Sequence, residues 1–131
     1  MIQEIIPQMQ KNGFGRIINI SSIGGQWGGL NQVHYAASKS ALINLTRSIA
    51  KLYSKDGITS NAIAPGLVAT DMSANELSTE AGKAKVASIP SARLGTVEEI
   101  GSIVNFLASD ASSYITGQTI NANGGMYFSS S

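Results

Sequence analysis

The chain opens with Ile2, Ile5, Ile6 and Met9 at helical spacing, which predicts a helix over 2–12 stopped by Asn12-Gly13. No Ser, Thr, Asp or Asn precedes this stripe as a cap, so it reads as the surviving end of a longer helix. Arg16-Ile17-Ile18-Asn19-Ile20 is a short apolar run of the kind that forms a buried strand. It leads into a loop from Ser21 to Gln32 containing Gly24-Gly25 and Gly28-Gly29. From Tyr35 to Lys55 the period becomes 3.6: Ala41, Leu42, Leu45, Ile49 and Leu52 form an apolar stripe, with Arg47, Lys51 and Lys55 turned away. Asp56-Gly57 ends that helix. Ile58 to Ala64 reads as a second strand, stopped by Pro65-Gly66. Residues 71–92 are small and polar with one weakly amphipathic stretch, the pattern of a mobile helical segment. Thr96-Val97-Glu98-Glu99 has the form of a capping box, and Val97, Ile100, Val104 and Leu107 supply the stripe of the helix it opens. Gln118 to Asn123 is a third short strand before Gly124-Gly125 and a serine tail. Helices alternating with apolar strands specify the α/β class: about three parallel strands flanked by helices.

A length of 131 residues allows one modest domain, and 43% hydrophobic with 6% aromatic residues suits an ordinary core. Nine basic against eight acidic residues, with no Lys/Arg block, argue against a nucleic-acid surface. The absence of cysteine excludes a disulfide framework, a thiolate nucleophile and cysteine-held zinc, and a single histidine argues against a histidine metal site. No apolar run approaches the roughly 20 residues that span a bilayer. Gln3 and Glu4 precede any basic residue, unlike a signal peptide, and the expected location is the cytoplasm.

Tyr35 and Lys39 stand at i and i+4, so both project from one helix face. A free phenol has a pKa of about 10, too high for a base near neutrality. A fixed positive charge a few ångströms away favours the phenolate, and the pair can then exchange a proton with a substrate hydroxyl or carbonyl. The plainer reading is two residues sharing a helix surface. Asn19-Ile20-Ser21-Ser22 falls where a strand ends, the edge at which open α/β sheets place ligands. A serine hydroxyl there can polarise a carbonyl oxygen or simply cap the loop. Pro65-Gly66-Leu67-Val68-Ala69-Thr70 leaves the next strand at the same edge; Gly66 would let backbone approach a ligand, and Val68 and Thr70 would present polar groups to an amide. Taken alone, that segment is a turn. His34 invites a Ser-His-Asp reading, but no Gly-x-Ser-x-Gly elbow accompanies it, and Trp27 reads as packing in the loop over the site.

Together these residues resemble the short-chain dehydrogenase/reductase family. The resemblance runs from the first helix to Gly125 in the family's order: Asn-x-Ser-Ser at 19–22, Tyr-x-x-x-Lys at 35–39, Asn61 before Pro65-Gly66, and Ile115-Thr116-Gly117-Gln118 to Asn123-Gly124-Gly125. The family's serine stands thirteen residues before its tyrosine, which selects Ser22 over Ser21. By this resemblance Tyr35 is the proton donor or acceptor, Ser22 holds the substrate oxygen, and Lys39 lowers the tyrosine pKa and bonds the nicotinamide ribose. Tyr35, Lys39, Pro65, Gly66, Val68 and Thr70 would form the cofactor contacts, with Val68 and Thr70 at the carboxamide. The implied fold is the C-terminal half of a Rossmann-like doubly wound sheet. The implied function is hydride transfer between NADP or NAD and a carbonyl or hydroxyl substrate, NADP being slightly favoured. Tyr35–Lys39, Ala92-Arg93-Leu94-Gly95, Phe106 to Asp110 and Asn123 to Tyr127 look like bacterial 3-oxoacyl-acyl carrier protein reductases, whose substrate is carrier-bound. Sugar and alcohol dehydrogenases of the family share these stretches and give an alternative.

The family's glycine-rich phosphate turn has no counterpart. Gly13-Phe14-Gly15 precedes a strand and lacks the third glycine, and Gly24 to Gly29 leads into the loop over the site. The family's catalytic asparagine and its NAD- or NADP-selecting residue are also missing. The 131 residues are therefore expected to be a single partial domain, the catalytic half, with strand 16–20 left as an open edge that pairs with another chain or aggregates. The resemblance further implies a homo-oligomer, a tetramer or dimer, assembled through helix 35–55 and the C-terminal helix and strand. A competing possibility is a catalytically inactive fragment that keeps only those assembly surfaces.

Overall fold

A computed structural model of the chain describes residues 2–20, 32–71 and 73–127. Helix α1 (Ile2–Asn12) precedes strand β1 (Gly15–Ile20). Helix α2 (Gln32–Tyr53) returns the chain to β2 (Ile58–Pro65) through a 3-10 turn over Ser54–Asp56. Two short helices, α3 (Ala74–Leu77) and α4 (Glu80–Ser88), come before α5 (Val97–Ala108), a 3-10 turn at Asp110–Ser112, and β3 (Thr119–Ala122). The strands form one parallel sheet in the order β1-β2-β3, with Ile17 opposite Ser60 and Ile63 opposite Ile120. The expected α/β fold class is what is found.

Side chains alternate across a strand, so β1 and β2 each present two faces. Ile17 and Ile58 pack with Ile6 of α1 and Ile49 of α2, and Met9 and Tyr53 lie against this cluster. Fully burying an isoleucine contributes about 1.5–3 kcal/mol, so the four together outweigh any single polar contact here. One such contact, Asn19 Nδ2 donating to Thr46 Oγ1 at 3.2 Å, contributes about 1 kcal/mol and acts mainly on helix orientation.

That contact explains a departure from the sequence pattern. The line of α2 that meets the sheet is Thr46, Ile49, Ala50 and half-buried Tyr53. In the expected stripe only Ile49 is buried: Leu42 is half-buried, Ala41 is exposed, and Leu45 and Leu52 are 44% and 61% exposed. The apolar arc is wider than the narrow sheet beneath it, and a threonine satisfied by Asn19 takes a core position. The helix also stops short of Lys55. Ser54 Oγ donates back to the Ala50 carbonyl, the local bond through which serine competes with helical pairing, and Gly57 closes the turn at φ 79°.

β2 is buried along its whole length. Its buried Asn61 clamps the turn before β3: Nδ2 donates to the Ile115 carbonyl at 3.0 Å, and Oδ1 accepts from Gln118 N at 3.1 Å. Ser60 N donates to Thr116 Oγ1 at 3.0 Å and Gly117 N to the Ser60 carbonyl at 2.7 Å. The Ile115-Thr116-Gly117-Gln118 run is thus a docking turn that delivers β3 in register.

The polar segment 71–92 contains the two short helices, α4 being capped by Thr79 Oγ1, which accepts from Gly82 N at 3.0 Å. The capping box of α5 forms as expected between Thr96 and Glu99. Of its stripe, Leu107 is fully buried, Ile100 and Val104 are half-buried, and Val97 is 57% exposed.

Candidate active site

Parallel pairing sends the C-terminal ends of β1, β2 and β3 to one edge of the sheet. The α2 helix starts on the chain that leaves this edge and runs back along the sheet, so its first turns, with Tyr35 and Lys39, belong to the edge. Open α/β sheets bind ligands at this edge. Tyr35 and Lys39 lie one turn apart within α2. Ser22, with the rest of 21–31, lies outside the described residues.

Lys39 is half-buried, and its Nζ sits 4.6 Å from the centre of the Tyr127 ring, within cation–π range. Tyr127 is 53% exposed and stands on the turn after β3.

At the end of β2 the chain turns at Pro65-Gly66, and Gly66 N donates to the Ala122 carbonyl at 2.9 Å. A Cβ on Gly66 would stand 2.6 Å from Asn123 Cβ and 2.9 Å from its Cα. The space that glycine leaves is therefore filled by Asn123. The Val68 side chain is 5% exposed, and the residue bridges to Gly95, with Ala69 N donating to the Gly95 carbonyl and Gly95 N to the Leu67 carbonyl, both at 2.9 Å. Thr70 is exposed but tied to Ser73, whose Oγ accepts from Thr70 N at 3.0 Å and from Thr70 Oγ1 at 3.1 Å.

A cleft of about 360 Å³ opens beside this edge, lined by Leu67, Gly95, Ile103, Asn123 and Gly124 with Arg93 and Glu99 at its rim. Arg93 grips Glu99 through two bonds, Nη1 to Oε1 at 2.8 Å and Nη2 to Oε2 at 2.9 Å, while Thr96 N donates to Oε1 at 3.0 Å. Hydrogen bonding from Arg93, then from the Thr96 backbone, holds the Glu99 carboxyl down at about 2. Larger clefts lie elsewhere: one of about 660 Å³ beside Arg47, Lys51 and Thr116, and one of about 610 Å³ at the opposite strand ends, beside Arg16 and Tyr114.

The edge thus brings together Gly66, Asn123, Tyr127 and Lys39. Tyr127 is not among the expected site residues, and Asn61 acts at the opposite end of β3 from this edge. Asn61 was visible only as a motif letter, and Tyr127 meets Lys39 through tertiary placement that no spacing encodes.

The fold defines a class, the parallel α/β sheets that carry their chemistry at the C-terminal strand edge. Within that class the family is also defined. A family model described as enoyl-(acyl carrier protein) reductase matches residues 1–127, and the chain belongs to the short-chain dehydrogenase/reductase family. It is 47% identical over 126 residues to a 3-oxoacyl-[acyl-carrier-protein] reductase FabG of Staphylococcus aureus, covering 96% of this chain and 51% of that protein. It is 42% identical over 126 residues to nodulation protein G of Azospirillum brasilense, covering 96% and 51%. A solved structure of a putative gluconate dehydrogenase from Agrobacterium tumefaciens superposes with a TM-score of 0.83 at 34% identity, covering 95% of this chain and 49% of that one. The chain spans about half the length of the curated relatives it matches.

Proposed function

We propose that this chain is the catalytic half of an NAD(P)-dependent oxidoreductase that interconverts a carbonyl and a hydroxyl, with a 3-oxoacyl group on acyl carrier protein as the substrate. The reading is carried by the Tyr35–Lys39 pair, one turn apart on the helix that starts at the sheet's C-terminal edge. The relative named as a 3-oxoacyl-[acyl-carrier-protein] reductase, at 47% identity, supports the substrate class. The solved relative titled a putative gluconate dehydrogenase favours a second reading, a sugar or alcohol dehydrogenase.

The donor set suits a nicotinamide cofactor in charge and position: Lys39 is a half-buried cation at the edge, available to ribose hydroxyls, and exposed Thr70 lies beyond β2. Pro65, Gly66 and Val68 contribute cofactor contacts from the same segment, with Val68 and Thr70 at the carboxamide, while the Val68 side chain packs against protein. A bound nicotinamide supplies or accepts the hydride. Ser22 holds the substrate oxygen, and Tyr35 gives it a proton as the carbonyl is reduced or takes one in reverse. Lys39, one helical turn away, stabilises the phenolate form of Tyr35. The phosphate-binding glycine turn comes from outside these 131 residues, and the intact enzyme is a cytoplasmic homo-oligomer. NADPH fluorescence titration of the chain tests its share of the site. Saturable enhancement supports a cofactor contact made by this half, and an unchanged signal at high protein concentration overturns binding by the chain alone.

A further inference from the structure

The sequence run Asn123-Gly124-Gly125 has no part in the proton relay, yet it is built to fix the position of Tyr127. Gly124 and Gly125 adopt φ of 63° and 93°, left-handed conformations that side-chain-bearing residues rarely take. Asn123 then closes the turn from both ends of its amide: Oδ1 accepts from Gly125 N at 3.0 Å, and Nδ2 donates to the Tyr127 carbonyl at 3.1 Å. Asn123 is itself held in the space left by Gly66, and Ser91 N donates to the Gly124 carbonyl at 3.0 Å. The result of this stapling is one contact, the Tyr127 ring under the Lys39 ammonium at 4.6 Å.

We infer that Tyr127 is a positioning residue: its ring face holds the Lys39 ammonium at the sheet edge, and the Asn123-Gly124-Gly125 turn holds the ring. A lysine side chain carries about 2 kcal/mol of rotamer entropy and swings freely unless something orders it. A cation–π contact contributes about 0.5–2 kcal/mol, comparable to that freedom and enough to favour one placement. The ring occupies one side of the ammonium, and the N–H donors on its other side are the ones a ribose-binding lysine uses. The functional part of this inference rests on Lys39 lying at the cofactor.

The test uses the 131-residue chain with its lysines reductively ¹³C-dimethylated, which keeps their charge, and the Lys39 signal assigned by Lys39→Arg. The aromatic ring current displaces the Lys39 methyl signal upfield of the other lysine signals. Tyr127→Leu collapses that displacement, and Tyr127→Phe, which keeps the ring, restores it. A general unfolding of the turn would move other lysines as well and would not be rescued selectively by phenylalanine. NADPH titration of the same samples separates the two readings. A displaced Lys39 signal in a chain that binds no NADPH supports the contact and overturns the cofactor site in this chain. A Lys39 signal indifferent to Tyr127→Leu, in a chain that binds NADPH, overturns the contact and leaves the cofactor site standing.

Discussion

Asn61 shows how a single buried amide fixes the turn that delivers β3 to the sheet. Both of its polar groups are satisfied, by the Ile115 carbonyl and the Gln118 amide, and the residue has no exposed surface. Replacing it by leucine of similar size leaves two part-buried backbone groups without their partner, at about 1–2 kcal/mol each. Asn61→Leu is therefore expected to lower the urea midpoint by an amount equivalent to about 2–4 kcal/mol, read by circular dichroism, with the slope unchanged. Gly66→Ala acts at the other end of the strands, the C-terminal edge, by crowding, because the new Cβ would meet Asn123 at 2.6 Å. It is expected to cost about 1–3 kcal/mol and to broaden or shift the amide resonances of residues 123–127. At this scale the sequence is legible where chemistry follows from spacing, as for Tyr35 and Lys39. It is silent where two distant side chains meet, as Lys39 and Tyr127 do. Gly66 reads as a close approach, but a glycine's missing Cβ does not name Asn123 as the residue beside it.

Helices are legible from their caps and less so from their stripes. Thr96 and Glu99 form the capping box that their spacing predicts, whereas Leu45 and Leu52 of α2 remain exposed and Thr46 is buried in their place. Periodicity reports an apolar arc, and only the width of the sheet decides which part of it is covered. Glu99 also carries a pH dependence. Its carboxyl is held at about 2 in the folded chain, below its ordinary value of about 4.5, so the folded state favours the charged form. The stability this contributes is fully present above the ordinary value and is lost as pH falls from about 4.5 toward about 2. Glu99→Gln keeps the capping geometry and removes the charge. The melting temperature of the wild type is expected to exceed that of Glu99→Gln at neutral pH, with the gap closing across that window. Both partners are largely exposed, so added salt narrows the gap as well.

As a whole molecule the chain presents an uneven sheet. β2 is buried along its length, while β1 pairs only with β2 among the described residues, and Ile20 at its C-terminal end is 52% exposed, as half-exposed Phe14 is at the other end. Open strand edges with apolar side chains recruit further strands. Light scattering coupled to size-exclusion chromatography is expected to find the 131-residue chain self-associated or bound to another polypeptide. A compact, cooperatively melting monomer would contradict this. The class of the fold is legible from the alternation of helices and strands. The order β1-β2-β3 is not, because apolar runs carry no record of their neighbours.

The central claim is that these residues are the catalytic half of a nicotinamide-dependent carbonyl reductase. The most direct measurement joins this chain to the remaining half of the Staphylococcus aureus reductase, in place of the 126 residues it matches there, and follows NADPH oxidation with a 3-oxoacyl thioester. The account predicts turnover by the hybrid and a loss of at least about 10²-fold on Tyr35→Phe, with NADPH binding retained, since proton transfer alone accounts for that much. A folded hybrid that binds NADPH but turns nothing over, or whose rate is unchanged by Tyr35→Phe, would contradict it.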